Sequence, residues 1–547
     1  MTNQDPHHDR RASGEIIIRD FSNVTPAAAV SARAEKGKWR LIGWQSSSDS
    51  GNLLFAYIDN APELTIPLNV NGYYAVSLGL FCPPSSRNQI RVKLSGDSKS
   101  SEFHQCQTSR WIPLGHGSCR FEEHFWKIAD LSARSLQIST GSASSGLGFV
   151  RLIPLNKEQT VKFKTPKCIP WLWTIDGHGH FIETKTPASR AVTDDIEAMA
   201  GSDFRTLSWN IIGADLVNYD TKIGRRLDSR AEATVRELDT SISNNIERLI
   251  LEGHDTNRLA VETARKNGLK VYLAQRPQHF NLEPPWDTLG SEFYNNNRQM
   301  ACKTRDGRSL MQMSFAYPLV RRHLIGILGE LAIHKPDGLH IIFNRGIPCT
   351  LYEQPVMDEF MEEYGTDIRN LGELDDRAVK FRYRYITAFL TELRAQIGPD
   401  LAVAVSCFAT KALNDRFGLD VQSWAETSLV QHLLPFIWEW QQDPYDMTFF
   451  NEISQTTSCA VWPFAYNANL HRYKSPQEHR GRTLELIRTG AKGLAGWDAS
   501  PNLACLNLGH VNELEIWEEL AIPLPQTDIH TIGGMAVDDG NTPHYCA

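Results

Sequence analysis

Over residues 15–155 the apolar positions fall in short runs divided by Ser, Gly, Asn and Pro. Glu15-Ile-Ile-Ile-Arg19, Asn52-Leu-Leu-Phe-Ala-Tyr-Ile58, Leu64-Thr-Ile-Pro-Leu68, Tyr73-Tyr-Ala-Val-Ser-Leu-Gly-Leu80, Gln89-Ile-Arg-Val-Lys-Leu94 and Gly148-Phe-Val-Arg-Leu-Ile-Pro-Leu155 are the clearest. Many short strands with turn residues between them predict an all-β sandwich. From Pro170 the texture changes, and a short apolar run is followed by a helical stretch, repeatedly. Eight runs are counted, at 171–176, 205–210, 270–275, 338–344, 401–407, 429–436, 459–464 and 493–498. Between them, residues 320–334 place Leu324, Leu328 and Leu331 on one face, and residues 377–396 do the same with Phe381, Tyr385, Phe389 and Leu393. That spacing is helical. Gly268, Gly338 and Gly493 stand where a helix hands over to a strand.

Strand–helix units in this number predict an α/β fold of the (β/α)₈ TIM-barrel type, preceded by the sandwich. An open doubly wound sheet is the structural alternative. The expected organisation is a disordered N-terminus over 1–13, a sandwich over 14–160 that would bind carbohydrate, a barrel over 168–525 and a tail over 526–547. A polar connector at 157–167 marks the boundary. The unpatterned stretch 281–314 follows the third strand and reads as a loop over the barrel mouth.

Composition narrows the class. Hydrophobic residues make up 41% and charged residues 22%, as in ordinary globular chains. The formal net charge of −8 argues against a nucleic-acid partner, which needs a clustered basic face. No apolar run is long enough to span a membrane. The polar N-terminus has no apolar signal-peptide core, so a cytoplasmic location is the default expectation. Ten cysteines are scattered from Cys82 to Cys546 without a CxxC pair, the pattern of reduced thiols and not of a zinc site. The 14 Trp suit both a β-rich core and a surface that stacks on sugar rings.

In a barrel the active site lies at the C-terminal ends of the strands. The eight runs end at Asp176-Gly-His178-Gly-His180, Trp209-Asn210, Gln275-Arg276 with His279 beyond, Asn344-Arg345, Ser406-Cys407, Trp438-Glu439-Trp440, Trp462 with Tyr466, and Trp497-Asp498. Aromatic faces, amides, guanidiniums and acids are what a sugar site requires. Glycoside hydrolysis uses two carboxyl groups, one a proton donor and the other a nucleophile or base. The candidates are Asp498 and Asp176, from the first and eighth strands, with Glu439 as a reserve acid. Asn344, Arg345, Trp209, Asn210, Arg276, Trp438, Glu353 and His178 are the candidate substrate contacts. Each acid has a plainer reading: an Asp after a strand often caps the next helix, and Glu439 would be a solvated loop residue. Arg276 and Arg345 match an acidic or sulfated sugar, since guanidinium binds such groups in a bidentate way, and match an internal ion pair equally well.

His178 and His180, with Asp498 after the eighth strand, also have the layout of a metal-dependent amidohydrolase. That chemistry needs a Lys after the fourth strand and His after the fifth and sixth. Here those positions carry Asn344, Cys407 and Phe436, so no metal and no cofactor is expected.

The stretches Met311-Gln-Met-Ser-Phe-Ala-Tyr-Pro318, Asp337-Gly-Leu-His-Ile-Ile-Phe-Asn-Arg-Gly346, Leu351-Tyr-Glu-Gln-Pro355, Glu363-Tyr-Gly-Thr-Asp367, Gly418-Leu-Asp-Val-Gln-Ser-Trp424, Leu429-Val-Gln-His-Leu-Leu-Pro435 and Leu508-Gly-His510 resemble bacterial glycoside-hydrolase-like barrels of a family-10-like group. The resemblance covers roughly residues 170–520 and implies the barrel fold and a carbohydrate substrate. Two departures matter. Such barrels often carry an acid at strand four, where this chain has Asn344. The retaining glycosidases of the largest clan place Glu after strands four and seven, where strand seven here reads Trp462-Pro-Phe464. The expectation is therefore a glycosidase using other acids. A catalytically silent carbohydrate-binding barrel and a metal-dependent hydrolase are the alternatives.

Overall fold

The computed structural model describes residues 14–57, 61–82, 88–105, 119–141, 143–227, 237–278, 280, 290–438, 444–471, 475–498, 506–522 and 526–536. The N-terminus expected to be disordered, the tail beyond 536 and residues 281–289 of the expected mouth loop lie outside them. The chain divides into two compact units, one made of Met1–Cys168 with Ser500–Ala547 and the other of Ile169–Ala499.

The first unit contains two sheets. The larger is built on Trp39–Gln45, Ser50–Ala56, Tyr73–Cys82, Arg120–Asp130 and Ser145–Pro154, and the smaller on Leu64–Pro67, Asn88–Leu94, Ser101–Gln105 and Ser135–Thr140. One core joins them, with Trp39, Val76, Leu78, Val150 and Leu152 from the larger sheet against Leu64, Ile90, Val92, Leu136 and Ile138 from the smaller. The strand Arg120–Asp130 escapes the sequence reading because charged side chains interrupt its alternation. Those charges are paired locally, Arg120 with Glu122 at 2.6 Å and Lys127 with Asp97 at 2.5 Å.

Two expectations about the ends of this unit are corrected. The polar connector is in part a helix, Lys157–Lys164, started by a capping box of Asn156 and Gln159. The barrel does not run to 525. Helix Val511–Leu520 belongs to the first unit, where Ile516 packs with Ala75, Phe125 and Ile128. Its Glu513 Oε1 accepts the Ile128 N–H at 2.7 Å. Beyond it, Gln526–Asp528 pairs antiparallel with Arg120, Phe121 and Glu122. The helix buries its apolar face where a matching apolar surface exists, and that surface is on the larger sheet.

The second unit is a curled sheet of nine strands, all paired in parallel: β1 Trp171–Ile175, β2 Phe204–Asn210, β3 Lys270–Gln275, β4 Gly338–Ile342, β5 Ala402–Phe408, β6 His432–Phe436, β7 Ala460–Val461, β8 Phe464–Asn467 and β9 Leu494–Trp497. The order is β7-β6-β5-β4-β3-β2-β1-β9-β8. β7 and β8 are two pieces of the predicted seventh strand. Between them Trp462 N–H donates to Leu433 O at 2.9 Å and Pro463 O accepts from Ala495 N–H at 3.0 Å. Pro463 has no N–H to donate, so the strand breaks into two pieces there. The stretch 281–314 is not wholly irregular: it includes helix Glu292–Asn296 and the hairpin of Ala301–Lys303 and Ser309–Met313.

One face of the sheet encloses Leu172, Ala274, Ile342, Leu434, Phe464 and Trp497. A polar bar crosses the same unit. Thr174 Oγ1 donates to Ser208 Oγ at 3.2 Å, and His340 meets Ser208 Oγ and Ser406 Oγ, each at 2.7 Å. These residues sit on β1, β2, β4 and β5, so the bar reaches past β3. Burial, helped by His432, pushes the His340 imidazole down to about 3. It is neutral near pH 7, with one ring nitrogen donating and the other accepting.

The seam at Trp462 is tightly packed. A Cβ on Gly493 would run into the Trp462 indole. Gly493→Ala is expected to cost about 1–3 kcal/mol of unfolding free energy, the range for overpacking, as measured by urea denaturation. An unchanged midpoint would mean that the indole has room to move.

Candidate active site

The site is assembled where β1 and β9 end. β1 runs into Asp176-Gly177. A Cβ on Gly177 would run into the backbone carbonyl of Asn210 at the end of β2, so only glycine allows the two strand ends to approach this closely. Asn218 holds them together, its Nδ2 donating to Gly177 O at 2.9 Å and to Asn210 O at 3.2 Å. β9 runs into Asp498, whose φ of 49° lies in the left-handed region, where Asp and Asn are tolerated better than most residues. Asp498 N–H donates to Thr174 O at 2.8 Å. In return, Asp498 Oδ1 accepts the Asp176 N–H at 2.8 Å. The two acids are thus fixed beside each other by main-chain bonds from neighbouring strands.

Their surroundings push them apart in protonation. Burial raises the Asp176 carboxyl, but Arg276, Arg345 and His178 outweigh it and hold the group well below the usual range. Arg276 makes an ion pair with Asp176 Oδ1, and Arg345 stands 3.7 Å from Asp176 Oδ2. Burial and the Asp176 charge raise Asp498, against weaker help from Asp176 N–H, Arg276 and Arg345. Arg276 is itself only 2% exposed. Burial and neighbouring Arg345 pull its guanidinium down to about 10, and Asp176 opposes them. His178 is half-buried and lowered, chiefly by burial and by the two guanidiniums.

Asn344, Arg345 and Trp438 adjoin this pair. Trp438 Nε1–H donates to Asn344 O at 2.7 Å. The Arg345 guanidinium lies 5.7 Å from the Trp438 ring centre and 5.6 Å from that of Trp497. The Asn344 side chain is buried, and both its Oδ1 and Nδ2 lack partners; Asn210 Nδ2 is likewise buried and unpartnered. Buried amides normally find partners, so a strand-end residue left unsatisfied is a candidate for meeting a ligand.

Two expected substrate contacts, and one histidine of the metal-dependent alternative, are elsewhere. Trp209 is fully buried and stacks on His180, with ring centres 4.3 Å apart. It alternates with Ser208, which joins the polar bar, so it faces the other side of the strand and offers no surface to a sugar. Glu353 is fully buried within its own loop region. Its carboxylate accepts from Lys303 N–H at 2.9 Å, Ser314 Oγ–H at 2.8 Å and Leu351 N–H at 3.0 Å, which ties down the hairpin and leaves it no substrate role. His180 Nδ1 meets Asp195 at 2.6 Å, and its ring stacks on Trp209, on the side of β2 turned away from Ser208. Glu439 and His279 lie outside the described residues. Gly177 and Asn218 went unnoticed in the sequence. A Gly directly after a strand-end Asp was the available signal for the first, and the second had none.

No family model and no curated protein matches the chain. Among solved structures it is similar to α-L-fucosidase isoenzyme 2 from Paenibacillus thiaminolyticus, at 13% identity over 65% of this chain and 50% of that one, with a TM-score of 0.42. It is also similar to the glycoside hydrolase domain of PgaB (BpsB) from Bordetella bronchiseptica, at 14% identity over 63% and 99% of the two chains and a TM-score of 0.44. A third similarity is to TtGalA, the α-galactosidase from Thermus thermophilus, at 11% identity over 91% and 98% and a TM-score of 0.34. The chain spans half the length of the fucosidase.

Asp176→Ala would leave Arg276 buried without its partner and is expected to cost roughly 3–5 kcal/mol. Because the Asp176 carboxyl is lowered on folding, the stability it supplies is present at neutral pH and is lost as pH falls from the ordinary Asp range through that lowered range. Urea unfolding from pH 7 to pH 3 should show a decline that is shallower in Asp176→Asn. Parallel declines in the two proteins would remove Asp176 from the account.

Proposed function

We propose that the chain is a glycoside hydrolase that cleaves a poly- or oligosaccharide by carboxyl acid/base chemistry. The observation that carries this reading is the Asp176–Asp498 pair: two acids held together at adjacent strand ends, one in ion pairs with two guanidiniums and the other in none. Paired carboxyls with divergent protonation are the working parts of glycoside hydrolysis. Asp498, raised, is the proton donor to the leaving oxygen. Asp176, depressed, is a poor base, so its part is that of nucleophile or charge partner to the developing oxocarbenium ion. Asn344, Asn210, Arg345, Trp438 and His178 hold the sugar, and Glu439 is the reserve acid. No metal or cofactor enters this scheme.

The reading also takes the parallel sheet as a closed (β/α)₈ barrel and the first unit as a β-sandwich of the carbohydrate-binding kind. Closure is supported by β7 and β8. They are consecutive in the chain, yet one pairs with β6 and the other with β9, so the two ends of the strand order belong to a single strand. A catalytically silent carbohydrate-binding barrel is the second reading. It is favoured by the fact that both acids already bond to protein groups and that Asn344 stands where similar barrels bring an acid.

Asp498→Asn tests the proposal cleanly, since Asn keeps the Oδ1 acceptor and tolerates the backbone conformation. Reducing-sugar release across a polysaccharide panel is expected to fall by about 10²–10⁴-fold, the usual contribution of a positioned acid. In the wild type, release should fall as pH rises through the raised range of Asp498. Full activity in Asp498→Asn with loss in Glu439→Gln would transfer the acid role to Glu439. Glycan binding without release on any substrate would establish the silent barrel.

A further inference from the structure

The ion pairs of the site are uneven. Two guanidiniums, Arg276 and Arg345, share one firmly ionised carboxylate. Arg276 takes Asp176 in a direct ion pair. Arg345 is left with the looser 3.7 Å approach to Asp176 Oδ2, and among the described residues it makes no hydrogen bond. Its side chain is 25% exposed and stands near both the Trp438 and Trp497 rings. A guanidinium near indole faces is held in orientation while its donor edge remains available. Beside it, Asn344 is buried with both ends of its amide unpartnered. That second observation points to a ligand independently of the charge. Asp498 forms no ion pair with either guanidinium, its Oδ1 being taken by the Asp176 N–H.

We propose that Arg345 and Asn344 form a subsite for an oxyanion carried by the sugar, a uronic carboxylate or a sulfate ester, with Arg345 making the bidentate contact and Asn344 a neighbouring hydrogen bond. This rests on the carbohydrate reading above and narrows it to acidic glycans. Asp176 keeps Arg276 charged and neutralised, so the arriving anion meets Arg345 and not the buried ion pair. The contact would be electrostatic and partly open to water, hence salt-sensitive.

The test is calorimetric titration of the intact protein with glucose, glucuronate, glucose 6-sulfate and inorganic sulfate, in low and in 0.5 M salt (on the order of a 4 Å screening length). It is repeated on Arg345→Gln and Asn344→Ala, each first shown to unfold as cooperatively as the wild type. At least one acidic sugar is expected to bind ten-fold or more tighter than glucose at low salt, with the margin shrinking at high salt. Arg345→Gln should abolish the preference, and Asn344→Ala should reduce it. Glucuronate and glucose 6-sulfate separate the two sources of the anion. Equal binding of acidic and neutral sugars, a preference unaltered in Arg345→Gln, or no binding of any anion overturns the proposal. Sulfate binding that depends on Arg345, with no preference for any sugar over sulfate, would uphold an anion site and sink the carbohydrate reading instead.

Discussion

The structure of the site depends on one constraint: charge brought out of water must find its counter-charge at once. Arg276 is almost wholly buried, and an isolated guanidinium there would cost several kcal/mol. Asp176 answers it. That single pairing fixes where β1 ends relative to β3 and keeps Asp176 ionised. Once Asp176 carries a fixed charge, any other carboxyl close to it is driven toward its neutral form. Burial is the larger cause of the rise at Asp498 and the Asp176 charge adds to it, so the divided behaviour of the two acids comes from desolvation reinforced by the ion pair.

The second constraint is geometric, and it lies in the strand seam. Asp498 accepts from the Asp176 main chain while donating its own N–H to Thr174. The bonds run in both directions between the ends of β1 and β9, and the one from Asp176 N–H fixes the Asp498 carboxyl against the neighbouring strand. Beneath them the bar of Thr174, Ser208, His340 and Ser406 replaces part of an apolar core with directional bonds. Such bonds specify one arrangement of strands more sharply than apolar packing does. His340 suits this place because, unprotonated, it donates at one nitrogen and accepts at the other.

Much of the parallel unit was legible because strands covered on both faces read as continuous apolar runs, and all eight predicted runs contain strand. What was not legible has physical reasons. Trp209 and Asn210 are neighbours in sequence and point to opposite sides of β2, and composition at a strand end cannot say which is which without the register. Glu353 looked like a mouth residue, but Leu351 in its own loop and Lys303 and Ser314 from the hairpin segment capture it. In the first unit, Arg120–Asp130 hid behind charges that are paired laterally. The helix Val511–Leu520 looked like the barrel's last because its apolar stripe does not declare which surface it will cover. Asp176 and Asp498 were legible because they sit one residue beyond strands that are adjacent in any barrel order.

A loosely paired cation and a proton donor belong together in such a site. A carboxyl kept neutral by a nearby anion is sensitive to what else enters. An acidic ligand that settles on Arg345 adds a second negative charge near Asp498 and takes up part of the guanidinium field that would otherwise ionise it. Both effects favour the protonated acid. A neutral ligand does neither. An anionic substituent is then more than a handle for affinity: by occupying the loosely paired Arg345 it would hold the donor in the form that can give up a proton to the leaving oxygen.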